Sequence, residues 1–386
     1  MSWEKIKIGD HCTVTSSKRF HLSDRSDSGI PFYCSKEIIQ KVQGQEITEC
    51  DYIREEAYEA VKQKFGVPQN GDLLITTRGT YGIPYIYQSD DEFYFADGNL
   101  TWLKDFDEKL LPSFLYYWVR SYEGQMKIDA IAKGTAQKAV PIASIKDLEL
   151  LVPNIDTQET IVDVLSTYDS LISNNQKQIK LLEEAAQRLY KEWFVDLRFP
   201  EYEDVEIVDG IPEGWAEGTL GDIAFFKRGK TITKASVHEG SVPVVAGGLE
   251  PAYYHNKSNT VAPVITVSGS GANAGFTRLY NVDVFASDCS FADSQSTEYL
   301  YFAYCFLKAN MSQMQALQKG SAQPHVYAKD INALELLIPH ENILNQFCGI
   351  VAPLWGKIGL LQRQIPQAKQ ARDRLLPKLM SGKLEV

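Results

Sequence analysis

The strongest constraint on this chain is that it is written twice. Lys133-Gly134-Thr135-Ala136-Gln137 recurs 186 positions later as Lys319-Gly320-Ser321-Ala322-Gln323. At the same offset Ile145, Leu148, Glu149, Leu150, Leu151 and Pro153 fall on Ile331, Leu334, Glu335, Leu336, Leu337 and Pro339. Gln178, Ile179, Arg188 and Leu189 likewise fall on Gln364, Ile365, Arg374 and Leu375. Toward the start of each copy the offset grows. A shift of 190 places Ile75, Thr76 and Gly79 on Ile265, Thr266 and Gly269, and Phe95-Ala96 on Phe285-Ala286. A shift of 212 places Trp3, Gly9, Asp10 and Pro31 on Trp215, Gly221, Asp222 and Pro243. The order never crosses, so the 386 residues hold two tandem copies of one unit, each with a variable front and a tail of constant length.

The tails are helical by count. From Ile161 the spacing alternates 4 and 3 through Leu165, Tyr168, Ile172, Asn175, Ile179, Leu182, Ala186, Leu189 and Trp193, a heptad seam broken only by Asn175. The second tail repeats it through Phe347, Val351, Leu354, Ile358, Leu361, Ile365, Ala368, Arg372, Leu375 and Leu379, broken only by Arg372. Asp156 with Glu159 predicts an N-terminal capping pair, and Pro200 a stop. Pro353 and Pro366 predict a kinked or divided second helix. Asn175 reads as a register device. A helix over 156–193 is ~57 Å long at 1.5 Å per residue. Residues 194–214 reach at most ~70 Å when fully extended, which leaves little slack for the second copy to return alongside the first. The spacing therefore predicts antiparallel helices.

The fronts read as mostly β, with short strand-like runs at 73–76, 85–87, 148–152 and 264–267 punctuated by Gly, Pro, Asn and Asp. Residues 111–120 and 299–308 predict short aromatic-rich helices whose Tyr and Trp serve the core. The expected fold is α+β, with two globular, mostly-β domains separated by a long antiparallel two-helix coiled coil in a pseudo-two-fold tandem repeat. The expected division is a first domain at 1–152, a central helical spacer at 153–199, a linker and second domain at 200–338, and a distal helical spacer at 339–386.

Net charge of −11 argues at first against a nucleic-acid ligand, but the acidity is local. Residues 141–214 hold 16 acidic and 6 basic side chains, which accounts for −10 of it and leaves room for a basic groove elsewhere. Glu183, Glu184, Glu192 and Asp196, with Glu201, Glu203 and Asp204 in the linker, read either as a solvated face or as one that keeps DNA off the spacer or receives a partner's basic surface. The six cysteines form no C-x-x-C pair and read as reduced, buried thiols. Residues 1–12 carry charges where a signal peptide needs an apolar stretch, and short apolar runs such as 264–267 fall far below ~20 residues, so the expectation is a cytoplasmic protein without a membrane partner.

Candidate contact residues cluster at turns. The loop holding Ser268, Ser270 and Asn273 is spaced G-x-G-x-x-x-G, and 276–280 reads as a strand rather than a helix, so it fails the context of a dinucleotide loop. Beside Arg278 it suits close approach to DNA, or simply forms a turn. The first copy places Arg78, Thr80 and Tyr81 there, and an arginine can pair bidentately with guanine or touch phosphate. In the K-G-[ST]-A-Q loops, Thr135, Gln137, Ser321 and Gln323 either bond the turn's own backbone or face a ligand. Lys133 and Lys319, with Lys138 and His325 beside them, suit phosphate. Lys18 with Arg19, and Lys227 with Arg228 and Lys230, are basic clusters at or just after the first strand of each copy. There is no H-E-x-x-H, P-loop or methyltransferase tetrad, so no catalytic constellation and no metal site is expected.

With these residues in view, the chain resembles the specificity subunit of type I restriction-modification systems. The likeness covers essentially the whole length: paired K-G-[ST]-A-Q loops, the L-x-L-x-[VI]-P strands at 148–153 and 334–339, and two long helical regions. The resemblance implies two target-recognition domains, each reading half of a split, asymmetric double-stranded DNA site. It also implies a coiled coil that sets the gap, and two methyltransferase (modification) subunits as partners, with restriction subunits joining through the complex. Such a subunit is not an enzyme. S-adenosylmethionine, ATP and Mg would belong to its partners and no cofactor to this chain. The alternatives are a non-catalytic coiled-coil scaffold or DNA mimic, favoured by the charge, and an enzyme using the glycine-rich loop.

Overall fold

The computed structural model describes residues 3–134, 138–319 and 324–386. The chain divides into two compact units, Met1–Ser173 with Pro366–Val386, and Asn174–Ile365. Each combines one β-rich copy with a stretch of both long helices.

In the first unit an outer clasp joins the start of the copy to its end. Glu4–Lys7 pairs antiparallel with Glu149–Val152 in the register Glu4 to Val152. Alternation explains the clasp, since Leu150 and Val152 are buried and Leu151 is exposed. Beyond it lies an antiparallel sheet in the order Thr13–Thr15, Leu100–Lys104, Leu73–Thr76, Pro84–Ile86. Its central strand Leu73–Thr76 is a continuous apolar run and is buried at every position, as a strand covered on both faces must be. A second sheet holds Ile30–Tyr33 between Asp51–Ile53 and Tyr94–Phe95, the last pairing parallel.

The second unit repeats the plan. Ala216–Thr219 clasps Glu335–Ile338. The main sheet runs Lys227–Arg228, Cys289–Asp293, Val264–Ser268, Thr277–Tyr280, and Val242–Val245 lies between Tyr253–His255 and a parallel Phe285–Ala286. Backbone hydrogen bonds correct the alignment of the two copies. Thr76 and Ser268 hold the same place, each accepting from a turn glycine, Gly82 or Gly275, at 2.8 and 2.9 Å. The true offset there is 192 rather than 190, a slip of two that keeps every side chain on its own face and so leaves no trace in the hydrophobic pattern. Ala96 N donates to Tyr33 O and Ser287 N to Val245 O, so Phe95 matches Ala286 at 191 and not Phe285 at 190. The drop from 212 has a physical site. Between Ile30–Tyr33 and Leu73–Thr76 the first copy inserts helices Ser35–Val42 and Glu55–Phe65, where the second has only the strand Tyr253–His255. These helices, with Tyr122–Ile131 and Met311–Ala316, make the fronts less purely β than their composition suggests. The expected aromatic helices are Pro112–Arg120 and Leu300–Ala309, with Tyr117, Trp118, Phe302 and Tyr304 in the core.

The first long helix covers Ile155–Tyr190 and continues through one wider π turn over Lys191–Val195. Its cap is Asn154, whose Oδ1 accepts from Thr157 N at 3.0 Å, rather than the Asp156–Glu159 pair. His340 takes the matching role 186 residues on, accepting from Asn342 N at 3.2 Å. Glu341–Met380 is one unbroken helix despite Pro353 and Pro366. Both prolines lie on its exposed face, where the carbonyls they leave unpaired meet water. Long and apolar enough by length and composition to cross a membrane, this helix nevertheless places part of its apolar surface in the core, with Ile343, Leu344, Phe347, Val351, Trp355 and Ile358 buried. No seam position of either helix is exposed: Ile161, Leu165, Ile172, Asn175, Ile179, Leu182, Leu189, Val351, Leu354, Ile358, Leu361, Ile365 and Leu375 are all buried or half-buried.

Within each unit the helices run antiparallel. In the first, Ile161 and Leu165 share a core with Leu376 and Leu379, and Asp169 bonds Arg372. In the second, Asn175 Nδ2 donates to Gln364 Oε1 at 3.1 Å, and Tyr190 meets Phe347 with ring centroids 6.2 Å apart. Residues 200–214 are no free linker. Phe199 is buried, and Val205 and Ile211 pack on the second unit's core. All six cysteines are unpaired, and burial pushes the thiols of Cys12 and Cys289 up to about 12.

Candidate nucleic-acid interface

In both copies the fold brings together the two loops singled out in sequence. The turn after the central strand needs left-handed backbone, supplied by Gly79 and Gly82 at φ +73° and +78° and by Gly271 and Gly275 at +80° and +86°. The ends of each K-G-[ST]-A-Q loop bridge one another. Lys133 and Ala139 exchange backbone hydrogen bonds of 2.8 and 2.9 Å, and Lys319 and His325 exchange two of 2.9 Å. The far ends then zip onto the glycine turn: Val140 N donates to Thr77 O at 2.8 Å and Val326 N to Gly269 O at 3.1 Å. Arg78 pairs with Ala139 and Ser270 with His325 in antiparallel bridges. Thr135, Gln137, Ser321 and Gln323 lie outside the described residues.

Around this junction the candidates separate into free and tied groups. Among the described residues, Arg78, Lys133, Lys227 and Lys230 carry no ion pair. Arg78 and Thr80 are exposed at the tip of the turn. Lys18 lies 4.4 Å over the Phe65 ring, and Arg19 Nε meets Asp97 at 3.0 Å. Tyr81 donates its hydroxyl to Asp129, which also faces Lys138 at 3.5 Å. The hydrogen bond from Tyr81 and the charge of Lys138 hold the Asp129 carboxyl below its ordinary range, and Asp129 raises Lys138 in turn. In the second copy Lys319 Nζ pairs with Asp330 at 2.8 Å, and His325 stacks on Tyr327 at 6.0 Å.

Several candidates are turned to structural work. Ser268 is only 3% exposed and donates to Gly247 O at 3.1 Å, so it does not face a ligand. Asn273 Nδ2 also reaches Gly247 O, at 3.4 Å. Arg278 Nη1 donates to Leu249 O at 2.8 Å while its guanidinium covers Tyr280, which braces the neighbouring loop. The glycine-rich loop joins two antiparallel strands and opens no helix, so it offers no phosphate-binding helix terminus. Lys18 and Arg19 follow the second strand of their copy, and Lys227–Arg228 is itself the second strand of the other, because the clasp strand precedes them. Glu183 is not simply solvated. Burial raises its carboxyl, opposed by Lys308 and Arg278.

Sequence reasoning missed the carboxylate at the second junction. Asp288 accepts from the Ser270 hydroxyl and lies 3.7 Å from Arg228 Nη2. Only the strand pairing shows it, because Gly269 N donates to Asp288 O at 3.2 Å just as Thr77 N donates to Asn99 O at 2.8 Å.

A family model described as the type I restriction modification DNA specificity domain matches residues 1–184 and 212–368. The chain is 28% identical over 352 residues to the type I restriction enzyme MjaIX specificity subunit of Methanocaldococcus jannaschii, covering 82% of this chain and 78% of that one. It is 20% identical over 471 residues to the type I restriction enzyme HindI specificity subunit of Haemophilus influenzae, covering 99% of each. Its fold matches the crystal structure of a type I restriction-modification S subunit from M. genitalium with a TM-score of 0.65 at 18% identity, covering 98% and 96% of the two chains.

Proposed function

The chain belongs to the type I restriction modification DNA specificity family, and from that membership we propose that each copy reads one half of a split, asymmetric double-stranded DNA site. The protein is a DNA-specificity subunit and not itself an enzyme. One observation carries the division of labour. The same junction of glycine turn and K-G-[ST]-A-Q loop ends is built twice from matching backbone hydrogen bonds, and it presents different side chains each time. A repeated scaffold with altered tips suits two different half-sites, because backbone fixes position while side chains at base edges carry sequence. The free cations Arg78, Lys133, Lys227 and Lys230 supply the phosphate and base contacts. The antiparallel helices set the distance between half-sites, as spacing does in dimeric DNA readers.

The partners in this reading are two modification subunits, with restriction subunits joining through the complex. S-adenosylmethionine, ATP and Mg are used by those partners, in the cytoplasm. The test is to sequence methylated genomic DNA from cells expressing this chain with its modification partner. The expected result is one bipartite asymmetric motif with a fixed gap. A single contiguous motif, or none that depends on this chain, refutes the reading.

A further inference from the structure

The hydrogen bonds that make the two junctions equivalent also show where they part. Matching Thr76 with Ser268 matches Asn99 with Asp288, Arg78 with Ser270 and Ala139 with His325. The next strand extends the match. Thr15 faces Trp102 as Lys227 faces Phe291, so Ser16 and Arg228 are equivalent. Four positions on one spot of each copy therefore read Ser16, Arg78, Asn99 and Ala139 in the first, and Arg228, Ser270, Asp288 and His325 in the second. Each spot has one arginine, but it comes from the glycine turn in the first copy and from the neighbouring strand in the second. A neutral amide in one is a carboxylate in the other.

Resting on the DNA-reading role above, we propose that Asp288 is a specificity-determining residue of the second half-site and reads a base that presents an exocyclic amine, cytosine N4 above all. An ionised carboxylate can only accept hydrogen bonds, and phosphates repel it. At a surface meant for a polyanion it is tolerated where a base amine donates to it, the pairing that Asp makes with cytosine in the major groove. The second copy holds it ready. Ser270 donates to one carboxylate oxygen, Arg228 lies 3.7 Å from the other, and the group stays part-exposed, at 40%. Arg228 also offsets its charge toward the backbone of the DNA. The first copy offers the inverse. Arg78 carries donors only and faces no carboxylate among the described residues, which suits the O6 and N7 acceptors of guanine.

Selection of double-stranded DNA from a randomised library by the full chain, followed by sequencing, tests this for wild type, Asp288→Asn and Ser270→Ala. Wild type is expected to enrich cytosine at one position of one half-site. Asp288→Asn, which keeps an accepting oxygen but adds an NH2 donor, shifts that preference from cytosine toward adenine by roughly 5- to 150-fold at this position alone, with the other half-site unchanged. Ser270→Ala removes the same hydrogen bond but keeps the carboxylate, and keeps the preference. If Asp288 merely braces Arg228 and the turn, both variants weaken binding without changing the sequence selected, and the proposal falls. If wild type enriches no split sequence, the DNA-reading role fails and this inference with it.

Discussion

One carboxylate, that of Asp169, joins three helices of the first unit. It accepts from the Tyr117 hydroxyl at 2.8 Å, from Arg120 Nη1 at 2.9 Å and from Arg372 Nη1, so it ties the aromatic helix and both long helices of the first unit. Side-chain exposures of 27% for Asp169, 20% for Arg120 and 13% for Arg372 place the network largely out of water. Among the described residues, Asp169→Ala leaves Arg120 with the Tyr116 hydroxyl and the rings of Tyr116 and Tyr117, and Arg372 with Asp373. Breaking a buried pair by removing one partner costs about 3–5 kcal/mol, because the remaining charge stays desolvated. For a unit near 200 residues, each kcal/mol moves Tm by roughly 2–4 °C, so the first unit's transition should fall by about 6–20 °C. The second unit's transition should not move.

The acid limb adds a second reading of the same group. Burial raises the Asp169 carboxyl, but Arg120, Arg372 and the Tyr117 hydroxyl outweigh it and hold it below its ordinary value. A depressed folded pKa contributes stability that is fully present above the unfolded value near about 3.9 and is lost as pH falls from there toward the folded value. Asp169→Ala should remove that component of the acid-limb slope. Scanning calorimetry against pH measures both effects. A shift under about 1 kcal/mol with an unchanged acid limb would show the network screened like a surface pair and refute the reasoning.

Other outcomes follow from the same geometry. Arg78→Ala should weaken recognition of one half-site only, seen as relaxed sequence at one position in methylation mapping, whereas uniform weakening across sequences would make it a phosphate contact. Inserting seven residues in register into both long helices should lengthen the gap in the modified sequence, and an unchanged gap would remove the helices as its determinant. Asn175→Leu breaks a 3.1 Å bond to Gln364 in a buried seam, and should raise Tm while allowing slipped pairing detectable by engineered cross-links. Gly124→Ala should destabilise the first unit strongly, because a Cβ there would stand 2.0 Å from the Trp118 carbonyl oxygen. A Tm within 2 °C of wild type would contradict that packing.

The fold was legible in outline because its main signals are local or periodic. The heptad seams follow from residues 161–193 and 347–379, since a helix exposes its packing face at fixed intervals, and the antiparallel order from the short reach of residues 194–214. The helix ends were less so. Asn154 caps where Asp156 was expected, and the prolines of the second helix sit harmlessly on its wet face, a matter of which side faces the neighbour. At the candidate interface the two loops were found, but not that they are bonded to each other. Among the described residues Lys133, Arg78 and Lys230 carry no ion pair, while Lys138, Arg278 and Lys319 meet Asp129, Glu250 and Asp330.

What the amino-acid order determined by itself was duplication, helical pitch and the identity of the repeated loops. These depend on near neighbours along the chain. What only tertiary structure decided was the pairing of strands distant in sequence. That pairing moved the alignment from 190 to 192, brought Asp288 beside Ser270 and Arg228, and set Asp169 against Arg372 more than 200 positions away. A slip of two in a strand preserves every inward and outward side chain, so hydrophobic pattern cannot register it, and hydrogen bonds between strands can.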